Sequence, residues 1–116
     1  MKFLNLTPHP LTILAGDVAT HLAVSGPAPR LAVDRESLGT VGAFPIVRST
    51  MGSPTGLPDA EEGVILVVSA LVAEHPSLTS RDDLAYPGEA VRDADGKITG
   101  AKGICAGPGL AAKLRG

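Results

Sequence analysis

The chain has 116 residues and a net charge of −2, from 10 basic and 12 acidic side chains. That length fits a single domain over residues 1–116, and a balance so near neutral lacks the basic patch that duplex nucleic acid calls for. With no Trp, one Tyr and two Phe, the core is expected to be aliphatic, and part of the apolar surface of so short a chain is expected to be covered by another copy in a homo-oligomer.

Residues 2–14 read as two short β-type runs, Phe3 to Leu6 and Leu11 to Leu14, parted by Thr7-Pro8-His9-Pro10. Two prolines within three residues exclude a helix or a central strand there and leave a kink with His9 at its tip. Gly16-Asp17 marks a turn, Val18 to Val24 a further strand, and Ser25 to Pro29 a loop. Leu31-Ala32-Val33 suggests a short strand, residues 34–39 are polar, and Pro45 demotes residues 40–49 to an edge or irregular strand. Ser49 to Pro58, rich in Gly, Pro, Ser and Thr, reads as an ordered functional loop or flap.

Val64-Ile65-Leu66-Val67-Val68 is a continuous apolar run and the best candidate for a central strand buried on both faces. Ser69 is placed to cap a short helix from Ala70 to His75, stopped by Pro76. Residues 77–88 are polar and end in Pro87-Gly88. Val91 to Thr99 carries a hairpin signature with Asp95-Gly96 at its turn, and Gly107-Pro108-Gly109 precedes a short helix or frayed tail. The fold class expected is α+β, a small and mostly antiparallel β-sheet with one or two short helices.

No motif brings catalytic apparatus. His9, His21, His75 and Cys105 have no metal-ligand spacing, and Asp93-Ala94-Asp95-Gly96 lacks the third acid and the twelfth-position Glu of a calcium loop, where Ile104 stands. Neither a metal nor a cofactor is expected. Ser69 follows a strand but lacks the flanking glycines of a nucleophile elbow. Cys105, among Gly and Ala, reads as a passive apolar residue. Gly107-Pro108-Gly109-Leu110-Ala111-Ala112 has the outline of a dinucleotide loop without the strand before it and the βαβ unit after it. A lone cysteine and an N-terminus broken by Pro8 and Pro10 suggest neither secretion nor a leader, and the longest apolar run, ten residues from Val64 to Ala73 with Ser69 inside it, is half a membrane span. A cytoplasmic location away from membranes is expected.

If a ligand site exists, its chemistry is polar. Asn5, Thr7 and His9 flank a backbone that the prolines force out of regular structure, and special conformations cluster at functional sites. Arg48 and Ser49 open the Gly/Ser/Thr loop, where free N–H groups could receive an anion. Arg81 and Arg92 stand next to aspartates, as surface pairs or as forks for a ligand. If all three arginines share one anion, each Arg→Ala is expected to weaken binding and leave folding nearly untouched.

Several pieces together resemble a family. They are Asn5-Leu6-Thr7-Pro8-His9 with Leu11 and Ile13, Gly56-Leu57-Pro58, Val67 to Ala73, Arg81-Asp82-Asp83-Leu84 with Pro87-Gly88, and Arg92-Asp93 followed by Gly96 and Ile98. Over about residues 4–104 the chain is similar to short proteins of bacteria, notably actinobacteria, and of their phages that begin with an NLTPH motif. That resemblance carries no activity; it implies an accessory protein. The expected function is non-enzymatic binding of a small polar or nucleotide-like ligand, in one version sequestration of a host immune signalling nucleotide. The alternatives are a small hydrolase acting on a phosphorylated metabolite, and a protein-interaction module with no small ligand.

Overall fold

The computed structural model describes residues 2–116. Eight strands form: β1 (Lys2–Asn5), β2 (Leu11–Ala15), β3 (Val18–Leu22), β4 (Val33–Val41), β5 (Phe44–Met51), β6 (Val64–Val67), β7 (Leu84–Arg92) and β8 (Ile98–Ala106). Two short helices, α1 (Ala70–Ala73) and α2 (Pro108–Arg115), complete the α+β architecture. Six strands make one sheet in the order β1-β6-β7-β8-β2-β3. The sheet is mixed. The β1–β6, β6–β7 and β2–β8 junctions are parallel, and the longer ladders β7–β8 and β2–β3 are antiparallel.

The apolar run at 64–68 forms the central strand expected of it. β6 lies between two parallel neighbours, with Ile65, Leu66, Val67 and Val68 all buried. The pleat sends alternate side chains to opposite faces, and this divides the core in two. On one face Leu66 and Leu84 pack with Leu6, Val68, and Val72 and Ala73 of α1. On the other, Ile65 and Ala85 pack with Leu110 of α2. One turn of helix is far too short to stand alone, so α1 exists because Val72 and Ala73 are anchored in the core. Ser69 occupies its N-cap but makes no side-chain capping bond. The helix ends before His75, whose ring instead accepts from the Ser77 amide and starts a 3-10 turn at Pro76–Leu78.

β7 begins within the stretch read as polar and runs straight through Pro87. Its partner β6 covers only Leu84 and Ala85. Beyond them β7 has an open edge on that side, where a missing N–H is tolerated. The expected hairpin joins β7 to β8. Its loop is organised by Asp93, whose carboxylate accepts from the amides of Asp95 and Lys97, with Gly96 at φ +83°.

α2 starts at Gly107 with Pro108 in its first turn and carries Lys113 and Arg115 in its last, where cations suit the helix dipole. Gly109 lets this helix sit directly on the chain at 79–81. A Cβ there would collide with the Arg81 carbonyl and crowd that of Thr79. Because the obstacle is backbone, Gly109→Ala is expected to cost about 1–3 kcal/mol by overpacking. Urea denaturation checks this; an unchanged midpoint would mean that α2 shifts freely.

β4 and β5 stand apart from this body. Residues 34–39, expected to be merely polar, belong to a strand that pairs antiparallel with Phe44–Met51. The pair turns at Gly42-Ala43, with Gly42 at φ +61°, and carries a bulge between Ser37 and Gly39. Every residue from Val33 to Met51 is exposed. At the base the two legs stay paired, with the Gly52 amide donating to the Ala32 carbonyl and Arg30 and Thr55 exchanging backbone bonds. This arm stretches the molecule to 55 × 39 × 27 Å, with a radius of gyration of 17.1 Å; a compact chain of this length would have about 13 Å.

Candidate functional site

The Asn-Leu-Thr-Pro-His segment forms a corner at the end of β1. Asn5 is 1% exposed. Its Nδ2 donates to the carbonyls of His9 (2.8 Å) and Leu22 (3.0 Å), and its Oδ1 accepts from the Thr7 amide (2.9 Å). The Thr7 hydroxyl lies 2.6 Å from Asn5 Oδ1 and 2.9 Å from the His9 carbonyl, with one proton to give. The backbone adds the Ser25 amide, which donates to the Asn5 carbonyl as Val24 bridges to Asn5 in parallel. The first and last strands of the curled sheet are thereby tied together at one residue. Asn5 and Thr7 are spent on that closure. The turn is held by hydrogen bonds without left-handed strain, because among the described residues no non-glycine residue has a positive φ. Of the three candidate residues here, only His9 is exposed.

Arg81 is committed as well. Its Nε and Nη2 reach the two carboxylate oxygens of Asp83 at 2.9 and 2.8 Å, and Nη2 also donates to the Pro58 carbonyl at 2.9 Å. Asp83 is 4% exposed. The guanidinium is held above its ordinary pKa chiefly by the hydrogen bonds it donates to Asp83, against the opposing effect of burial. The fork therefore grips the chain's own carboxylate and pins the loop at Pro58. Arg92 donates to the Gly96 carbonyl and closes its own hairpin. Arg48 and Ser49 lie on β5, opposite Glu36 and Arg35. The seven candidate residues thus occupy four places in one chain: the corner, the arm, the loop lock and the hairpin tip.

The surface has several concavities, and none gathers these groups. One of about 270 Å³ lies between Pro10–Thr12, Pro87–Gly88 and Ile98–Ala101, with no charged side chain in its lining. Another, of about 360 Å³, is lined by Glu61, Glu62, Asp82 and Asp83 with Lys113. No grouping of three or more His, Cys, Asp or Glu side chains fit to hold a metal occurs among the described residues. Tyr86 stands opposite Cys105 in the β7–β8 register. Its phenol is raised above its ordinary pKa, first by hydrogen bonding with Glu74 and then by burial. No described helix is long and apolar enough to cross a membrane.

The element that sequence reasoning missed is the arm. A signal for it was present: Gly42-Ala43, a two-residue turn with Gly first, lies between Val41 and Phe44. Three of the cations without an ion pair among the described residues lie on it or at its base. Arg35 and Arg48 on the arm and Arg30 at its base take part in no ion pair among the described residues, whereas Arg81, Lys102 and Lys113 do.

Compared with known proteins, the chain matches no family model, no curated protein and no solved structure.

Proposed function

We propose that this is a cytoplasmic, non-enzymatic binding protein that takes a small anionic, nucleotide-like ligand, using the arginines of the arm and its base. The observation that carries the reading is the division of labour among the guanidinium groups. Arg81 is consumed inside the fold, while Arg30, Arg35 and Arg48 are exposed and free of ion pairs among the described residues, with Ser49 across from Arg35 on one face of the ribbon and Thr50 next to Arg48 on the other. Guanidinium is the side chain best suited to phosphate oxygens, and Ser and Thr hydroxyls add donors. A phage-type accessory protein that sequesters a signalling nucleotide fits this chemistry. A second reading, an interaction module with no small ligand, is favoured by the apolar side chains that the arm also exposes.

Mass spectrometry of small molecules released by heat from the purified protein tests the proposal, followed by calorimetry against a panel of cyclic and linear nucleotides. An intact nucleotide is expected. Arg48→Ala is expected to weaken its binding by about tenfold or more, the range of one charge-assisted hydrogen bond, and to leave folding intact because Arg48 is exposed. No released molecule and no binding across the panel would transfer the function to the second reading.

A further inference from the structure

We infer that the β4–β5 arm is a dimerisation element whose occupant is a second copy of this chain, the tip of each arm seating in the cleft at the base of the other. A two-stranded ribbon is marginal in water by itself. This one also exposes Val41 and Phe44 at its tip, at 69% and 73%, and Leu38 and Val47 behind them. Long unpartnered apolar strands of this kind mark interaction sites.

The body of the molecule also offers a receptor. Met51 at the arm's base, Ala70, Leu71 and Pro76 line a cleft of about 630 Å³, with Glu74 and His75 completing it. Leu71 is 62% exposed on a helix that Val72 and Ala73 anchor in the core. The arm cannot fill its own cleft, because Phe44 and Met51 lie seven strand positions apart, roughly 23 Å along a stiff ribbon. In a second copy related by a two-fold axis the geometry closes: arms laid antiparallel put each tip at the other's base, so that one patch meets itself.

Charge and size agree with a like partner. The arm carries Asp34 and Glu36 against Arg35 and Arg48, a net charge of zero with both signs along its length. That pattern suits self-association better than a strongly charged partner. Its nineteen exposed residues, Val33 to Met51, together with the cleft, approach the 20–30 residues a side of a standard stable interface.

Light scattering on the full chain is the first test. Twice the chain mass of 11.7 kDa, or a higher even multiple, is expected at micromolar concentration. Phe44→Asp is expected to return it to the chain mass with the circular dichroism of the body preserved, since Phe44 is 73% exposed on the arm. The second test places the contact. In a Cys105→Ser background, the double variant Phe44→Cys, Leu71→Cys is expected to give a disulfide-linked dimer on mild oxidation, and each single variant far less. A native protein at the chain mass would overturn the inference, as would an oligomer that survives Phe44→Asp and yields no link between positions 44 and 71. These readouts need no nucleotide, so a failed ligand titration with the dimer intact counts against the ligand reading alone.

Discussion

Asn5→Asp is expected to be the most damaging conservative change in the molecule, worse than Asn5→Ala. The native amide is matched at both ends: two carbonyls face its nitrogen, and a backbone amide and a hydroxyl face its oxygen. Alanine removes the partner of the buried Thr7 amide and of the Leu22 carbonyl. At about 1–3 kcal/mol for each buried group left unpaired, the loss is expected near 3 kcal/mol. Aspartate keeps the shape and reverses the chemistry, because a carboxylate oxygen then points at the His9 and Leu22 carbonyls in a site with no access to water. A buried charge without a partner costs several kcal/mol, a large share of the 5–15 kcal/mol that holds a domain together.

The pH dependence gives the aspartate variant its signature. The site favours the neutral acid, which can donate to one carbonyl, so the folded-state pKa of the new carboxyl lies above the unfolded value of about 4. Stability retained below that value is lost as pH rises toward the folded pKa. Urea midpoints of native, Asn5→Ala and Asn5→Asp proteins at pH 4.5 and pH 7 check this. The two variants should be closest at the acid end. Equal midpoints at pH 7, or a native-like Asn5→Asp protein, would show that the corner does not close the sheet.

What could be read in advance follows from the range of the forces involved. β6 was legible because five consecutive apolar residues have no stable place but the interior. The β7–β8 hairpin was legible because Asp95-Gly96 acts locally. The polarity of the 2–14 segment was legible as well, but its meaning was not. Asn5 and Thr7 are as suited to a ligand as to the chain's own carbonyls, and the choice depends on Leu22, seventeen residues away. Arg81 had the same ambiguity with respect to Pro58. The arm escaped for a different reason: its strands face solvent on both sides in one chain, so no alternation of apolar and polar residues marks them, and Pro45 weighed against a strand. In a ribbon with two open edges that proline removes no needed bond.

Arg81→Ala is expected to lower stability by about 3–5 kcal/mol, the cost of breaking a buried pair from one side. On sequence alone the same substitution belonged with ligand binding and promised a folded protein, and the geometry reverses that. The side chain of Asp83 is 6% exposed and that of Arg81 22%, so the penalty falls mostly on the carboxylate. Removing the guanidinium leaves the more buried of the two charges without its partner. Removing the carboxylate leaves a cation that can still lean outward and hold Pro58. Asp83→Asn is therefore expected to cost less than Arg81→Ala, and the double variant Arg81→Ala, Asp83→Asn less than the sum of the two, because the stranded charge is gone. Arg81→Lys should fall between native and alanine, since one ammonium cannot span both oxygens. A second readout separates this lock from a general loss of packing. The Pro58 carbonyl loses its donor in Arg81→Ala, so limited proteolysis should speed up within residues 55–62 before the body is cut. Calorimetric melting of the four proteins with that digest decides the matter: an Arg81→Ala protein with native melting temperature and native digestion would return Arg81 to the ligand and leave Asp83 without an account.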